Sequence, residues 1–304
     1  MSRILIPVDY SLPCHNAYNF GLHLAAELGL DVVLSHYYSG SLDPRTNLVI
    51  AGDGTIHGSH LERLRQFAYS SIEGADHVPV EPPRGVEVTY EVGLSMTPSS
   101  AISKRAEHAD ISLVVMATRS TERLLGKWLG STSTTVSESC YRPVYLVPPQ
   151  ARYRHFDRIV VANNRATADA YPLWQLEGLA DMYESKVHFV HVAPPEQDLP
   201  LRFVPWELKE ELERIKPGAE GYSFELVAVE DKDISRGLLR YAEDIDADLL
   251  VIIGETRKRW QAILRRTLTQ DLALRSGLPL LILHNTAAVK EIFGPVSQSE
   301  STEG

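Results

Sequence analysis

The chain has 304 residues, with 40 acidic against 30 basic side chains, a net charge of −10 and a hydrophobic fraction of 44%. That length predicts about two domains, each able to bury its own core, with the composition of an ordinary folded protein. The acidic balance argues against a nucleic-acid scaffold, because phosphate backbones repel such a surface unless a local basic face exists. Two cysteines, Cys14 and Cys140, are too few for a disulfide framework and fit no metal spacing. The opening MSRILIPVDY is too briefly apolar for a signal peptide, and no apolar run approaches the ~18 residues of a membrane span. A reduced, cytoplasmic compartment is expected, with no membrane or nucleic-acid partner.

The unalternating run Arg3-Ile4-Leu5-Ile6-Pro7-Val8-Asp9 reads as a strand buried on both faces. Ser11 and Pro13 suit a helix start, and apolar periodicity runs from Ala17 to Leu28 before Gly29 closes it. A second strand is expected at Val32–His36. Residues Ser39 to Gly58, rich in Gly, Ser and Asp, make a long connection to a helix over His60–Ile72. A strand at Val86–Val92, a helix at Ser100–His108, a strand at Leu113–Met116, a last helix and a closing strand at Pro143–Val147 complete the series.

The series then repeats. Arg158-Ile159-Val160-Val161-Ala162-Asn163-Asn164 echoes the opening strand, followed by a helix at Leu173–Tyr183 and a strand at Val187–His191. A helix at Trp206–Ile215, strands at Phe224–Val229 and Leu249–Ile253 around a helix at Ser235–Ile245, and a final strand at Pro279–Leu283 follow. Strands alternating with helices specify an α/β fold: two tandem doubly wound parallel five-stranded sheets. The expected units are 1–150 and 151–285, joined near Pro148-Pro149-Gln150-Ala151, with a polar tail over 286–304.

Ligands of doubly wound sheets sit beyond the carboxyl ends of the strands. There the first half places Asp9, Tyr37 and the segment from Met116 through Ala117, Ser120 and Gly130-Ser131-Thr132-Ser133. Small residues let backbone N–H groups approach an anion, hydroxyls add donors, and a helix N-terminus adds partial positive charge. The competing reading is an ordinary N-cap and turn, and for Asp9 a turn carboxylate.

These residues carry a family resemblance. Both halves resemble universal stress protein domains, on Pro7-Val8-Asp9, the strand ending in His36, Val92-Gly93 with Pro98, the strand ending at Met116, and Arg142-Pro143-Val144-Tyr145-Leu146-Val147. The family pattern G-x2-G-x9-G-[ST] falls on Ala117-x2-Ser120-x9-Gly130-Ser131, with its spacing and last pair intact and both early glycines replaced. The resemblance implies an adenine nucleotide alpha-hydrolase-like fold whose halves pack as a pseudo-dimer through Pro143–Val147 and Pro279–Leu283. It implies ATP, with or without Mg, as ligand. Asp9 would contact adenine beside Pro7 and Val8, and Tyr37 would offer backbone. Met116, Ala117, Ser120, Gly130, Ser131, Thr132 and Ser133 would cradle ribose and phosphates.

The second half departs further. Asn164 stands where Asp9 stands, and the pattern reads Gly254-x2-Arg257-x9-Thr267. Long arginines where backbone should meet phosphate imply no nucleotide there. Arg257, Lys258, Arg259, Arg265 and Arg266 form either a solvated helix face or an anion patch. Gly126-Lys127 fails as a P-loop, and no G-x-G-x-x-G follows either opening strand. The pairs His57/His60 and His188/His191 lack a third ligand, so no metal site is expected. No nucleophile elbow marks a catalytic residue. The reading is a stress-response protein binding one adenine nucleotide per chain and acting through ligand-coupled regulation, with at most slow hydrolysis. A protein partner, and pairing of two tandem chains into a homodimer, stay open. The alternatives are an interaction scaffold without nucleotide and a weak ATP hydrolase.

Overall fold

Arg3–Pro7 (β1) lies between two parallel neighbours, so both its faces meet packed layers; this is why Ile4, Leu5 and Ile6, all fully buried, do not alternate with polar residues. The computed structural model describes residues 2–39, 41–42, 49–50, 54–69, 80–118, 131–162, 176, 178–195, 223–254 and 267–284. The first half continues with α1 (Leu12–Leu28), β2 (Asp31–Tyr38), a hairpin of β3 (Ser41–Leu42) and β4 (Val49–Ile50), and α2 (Gly54–Tyr69). Then come β5 (Val88–Leu94), α3 (Pro98–Ala106), β6 (Ile111–Ala117), α4 (Ser131–Ser139) and β7 (Val144–Val147). In the second half follow β8 (Arg158–Ala162), β9 (Lys186–Ala193), β10 (Ser223–Glu230), α5 (Ile234–Asp244), β11 (Leu249–Gly254), α6 (Thr267–Arg275) and β12 (Leu280–His284).

One mixed sheet contains ten strands in the order β10-β9-β8-β11-β12-β7-β6-β1-β2-β5. Each half is a parallel five-stranded unit, and the units join where β7 meets β12 antiparallel, with Leu280 opposite Leu146, Leu281 opposite Tyr145 and Ile282 opposite Val144. The closing strands do pair across the halves. Apolar layers on both faces of the sheet run through both units: one contains Ile4, Ile6, Leu34, Ile159 and Leu281, the other Leu5, Val114, Val160, Leu250 and Ile282.

Several elements differ from the sequence reading. The connection expected over Ser39–Gly58 contains the β3–β4 pair, and α2 starts within it at Gly54. Helix α1, by contrast, starts at Leu12 as Ser11 and Pro13 indicate, because Pro13 fits the first turn, where no N–H partner is required. The helix expected at 206–215 and the tail lie outside the described residues. The junction between the halves, despite its prolines and polar residues, is packed. The Asn16 amide donates to the carbonyls of Pro148 and Ala151 at 3.0 and 2.9 Å, and Phe156 is buried against Tyr145 and Tyr183.

Helix α1 ends at Gly29, whose φ of 63° lies in the left-handed region and whose N–H donates to the Ala25 carbonyl. A Cβ there would meet nothing within 4 Å, so the cost of a side chain is conformational alone. Gly29→Ala is expected to lower stability by about 1 kcal/mol and Gly29→Asn by less, read as shifts of the urea midpoint.

The β7–β12 joint also fixes which residues correspond. With Tyr145 and Leu281 paired at the centre of the joint, Val147 and Leu283 are equivalent. Ala117 pairs with Val147 and Ile253 with Leu283. The second-half counterpart of Ala117 is therefore Ile253, and Gly254 lies one residue further on. The pattern spacing places Gly254 opposite Ala117 because it is anchored on the glycine; the strand pairing moves the correspondence to Ile253.

Candidate functional site

In the first half the chain runs from β1 outward through β2 to β5, then returns to β6 and β7 on the other side of β1. The order therefore reverses between β1 and β6, and the carboxyl ends of these two strands diverge into a crevice. A cavity of about 230 Å³ opens there. Pro7, Val8 and Asp9 line it from β1 and its following turn, His36 and Tyr37 from β2, and Met116 and Ala117 from β6. Ser11, Pro13 and Cys14 close it at the start of α1, Pro98 and Ile102 from α3, and Thr132 and Ser133 from α4.

Of the residues singled out in the sequence, eight meet here: Pro7, Val8, Asp9, Tyr37, Met116, Ala117, Thr132 and Ser133. Ser131 begins α4. Ser120 and Gly130 lie outside the described residues, as do Asn164 and the second-half cluster Arg257, Lys258, Arg259, Arg265 and Arg266. His60 of the His57/His60 pair stacks on Tyr38, and among the described residues no group of His, Cys, Asp or Glu could hold a metal ion.

Asp9 is exposed at the cavity mouth. Its Oδ1 accepts the Ser11 N–H at 3.1 Å and the Cys14 thiol at 3.1 Å. The carboxylate therefore makes the turn that enters α1, while Ser11 at the N-cap position makes no side-chain cap bond. Burial and then the Asp9 charge push the Cys14 thiol up to about 12, so it stays protonated and donates at physiological pH. Between Asp9 and Ser11, Tyr10 adopts a φ of 66°, a conformation that is costly for a bulky residue. On the β6 side the Ser133 hydroxyl donates to the Ala117 carbonyl at 3.0 Å, tying the first turn of α4 to the strand end. Thr132 and Ser133 thus bring the first turn of α4 to this rim. Burial raises the Tyr37 hydroxyl, helped by Glu91, so Tyr37 is neutral.

Sequence reasoning missed Cys14 and Ile102 as lining residues and used His36 and Pro98 only as marks of resemblance. Cys14 stands five residues after Asp9, across a helix start, where a side chain leans back toward the N-terminus; that direction was the available signal.

The universal stress protein family profile matches the chain twice, over residues 1–148 and 155–284. The chain belongs to the universal stress protein family. The tandem arrangement extends to solved structures. A universal stress protein from Archaeoglobus fulgidus DSM 4304 is 18% identical over 93% of this chain and 98% of its own, with a TM-score of 0.65. One described as a putative universal stress protein from Pseudomonas aeruginosa UCBPP-PA14 is 12% identical over 96% of each chain, with a TM-score of 0.56. At these identities the likeness is one of fold. No curated protein matches the sequence. Among the described residues, no helix of this universal stress protein is long and apolar enough to cross a membrane.

Proposed function

We propose that this tandem universal stress protein binds one adenine nucleotide per chain, in the cavity of the first half, and acts through ligand-coupled regulation rather than catalysis. The observation that carries the reading is convergence. Three separate stretches expected from the sequence to hold a nucleotide, Pro7–Asp9, Tyr37 and Met116–Ala117 with Thr132–Ser133, line one cavity at the reversal of strand order. At about 230 Å³ the cavity is smaller than the ~300–1,000 Å³ of sites that enclose a whole ligand. It suits the base and sugar, with Asp9 and the Tyr37 backbone reading the base edge. The phosphates would then extend toward the start of α4, where Thr132 and Ser133 line the cavity.

The second half has Ile253 in place of Ala117 and Asn164 in place of Asp9, which supports a single occupied half. No described group at the cavity is an activated nucleophile: the Cys14 thiol is held protonated, and the Ser133 hydroxyl is committed to a carbonyl.

The test is thermal unfolding with and without Mg-ATP, paired with titration calorimetry. Ligand at ~100 times its Kd stabilises the native state by about 2.7 kcal/mol, which raises Tm, and the stoichiometry is one nucleotide per chain. An unchanged Tm at millimolar Mg-ATP overturns the reading, and so do two equivalent sites. Arg257→Ala leaves the affinity unchanged.

A further inference from the structure

Four rings pack in a row behind the turn that carries Asp9. Tyr10 of the turn lies 4.2 Å from His36 of β2, His36 lies 5.6 Å from His60 of α2, and His60 lies flat on Tyr38 at 4.0 Å. His36 links this row to the cavity. The Val8 carbonyl can only accept, so the 2.8 Å contact means that Nδ1–H of His36 donates to it. The same ring packs on Tyr10. His36 thus grips the residues on both sides of Asp9, one by hydrogen bond and the other by ring contact. Tyr10, at its φ of 66°, needs such support, because its backbone conformation is intrinsically unfavourable.

With Nδ1–H committed to Val8, a second proton must go to Nε2. The charged and titratable groups facing the ring are Asp9 from the turn, which favours that proton, and His60 and Arg63 from α2, which oppose it. Arg63 also lies over the Tyr10 ring at 4.4 Å, and Tyr10, pushed up to about 12 by burial, offers no negative charge. A protonated His36 would therefore be a half-buried cation beside the Arg63 guanidinium and His60, with the Val8 carbonyl and Asp9 to favour it.

We propose that His36 is a positioning residue for the Asp9 turn, and that its protonation opens the row of rings, releases the turn and weakens ligand binding in acid. The weakening of nucleotide affinity rests on the function proposed above; the positioning of the turn does not. Burial, the largest influence, holds the His36 imidazole below its ordinary value. The closed turn thus prefers neutral His36. Its stability is full above the open-state pKa near 6.5 and is lost as pH falls from there toward the lower native value.

The two cysteines provide a readout that needs no ligand. Cys14, hydrogen-bonded to Asp9, reports on the turn, while Cys140 is buried between α4 and β7 and reports on the protein at large. Burial pushes both thiols up, to about 12 and about 11, so between pH ~5.5 and ~7.5 their thiolate fractions scale identically with pH. Their ratio of labelling by 2,2′-dithiodipyridine is then independent of pH unless the turn opens.

In the full-length protein the Cys14/Cys140 labelling ratio should rise at least ~5-fold from pH ~7.5 to ~5.5. In His36→Phe, which keeps a ring and loses the donor, the ratio should be high at both pH values. In His36→Asn, whose amide can replace Nδ1–H and takes no proton, it should stay low at both. Mg-ATP affinity should fall ~10-fold over the same interval in the parent chain and stay level in His36→Asn. A flat ratio in the parent, or an unaltered step in His36→Asn, overturns the positioning role even if ATP binds. A normal step without ATP binding at any pH overturns the nucleotide assignment and leaves the positioning role standing.

Discussion

Ala117→Ile should abolish nucleotide binding while leaving the protein folded. Ala117 ends β6 at the cavity wall, 9% exposed, with its carbonyl held by Ser133. Isoleucine adds three carbons at this position, and the second half shows that the fold tolerates them, because Ile253 occupies the corresponding ladder position. Ala117 stands where the core meets the wall of the cavity of about 230 Å³, which gives the new side chain room on one side, so the apo protein should lose no more than about 2 kcal/mol. The ligand has no such latitude. The expected loss is at least ~100-fold in Kd, about 2.8 kcal/mol, by titration calorimetry with Mg-ATP. The reciprocal change, Ile253→Ala, should create no second site. Unchanged affinity in Ala117→Ile would mean that nucleotide binds elsewhere.

The largest effect on stability is expected at Arg105. Its guanidinium forks onto Glu91 at 2.8 and 2.9 Å and onto Asp110 at 3.0 and 2.9 Å, with only 13% of the side chain exposed, and Arg3 also donates to Asp110. The cluster ties α3 to β5 and to the start of β6. Arg105→Met keeps much of the alkyl stem and leaves Glu91 without this partner. The cost should be about 2 kcal/mol, between exposed and fully buried pairs, and about 3 °C in Tm. The pH dependence follows from Asp110. Hydrogen bonds from Arg105, more than any other influence, hold its carboxyl down at about 2. A depressed carboxylate stabilises the fold above its unfolded value near 3.8, and that contribution is lost as pH falls from there through about 2. Urea titrations across this interval should show a steep acid limb in the parent chain and a shallower one in Arg105→Met. Parallel limbs would place the acid sensitivity elsewhere.

The strands were legible in the sequence because a strand enclosed on both faces leaves an unmistakable apolar run, as at Ile4–Ile6 and Leu249–Ile253. The site was legible only in its backbone-facing part. Asp9, Tyr37 and Ala117 sit at strand ends, where the fold class itself locates a ligand. Cys14 and Ile102 reach the cavity from helices, and which helical side chain reaches in depends on packing angles that no local pattern encodes. His36 read as the polar end of a strand; its grip on Val8 and Tyr10 depends on α2 arriving from beyond the β3–β4 pair with His60 in place. The correspondence of Ile253 with Ala117 stayed hidden for a different reason. Spacing counts from the glycine at 254, whereas the pairing of β6 with β7 and of β11 with β12 decides which residues stand at the same level of the sheet.

The antiparallel joint between β7 and β12 has a consequence for how this protein responds to dilution. A sheet edge completed by a separate chain is lost when concentration falls below the dissociation constant. Here the completing edge is covalently attached through a packed junction, at an effective concentration in the millimolar range for a short tether. The β7 edge therefore stays covered at any cellular abundance, and the midpoint of unfolding should not move with protein concentration. That cover does not depend on a ligand in the second half, because it is made by backbone pairing of β12 with β7. What that half had to preserve was the face and edge that shield its neighbour, and those are where its sequence still mirrors the first half.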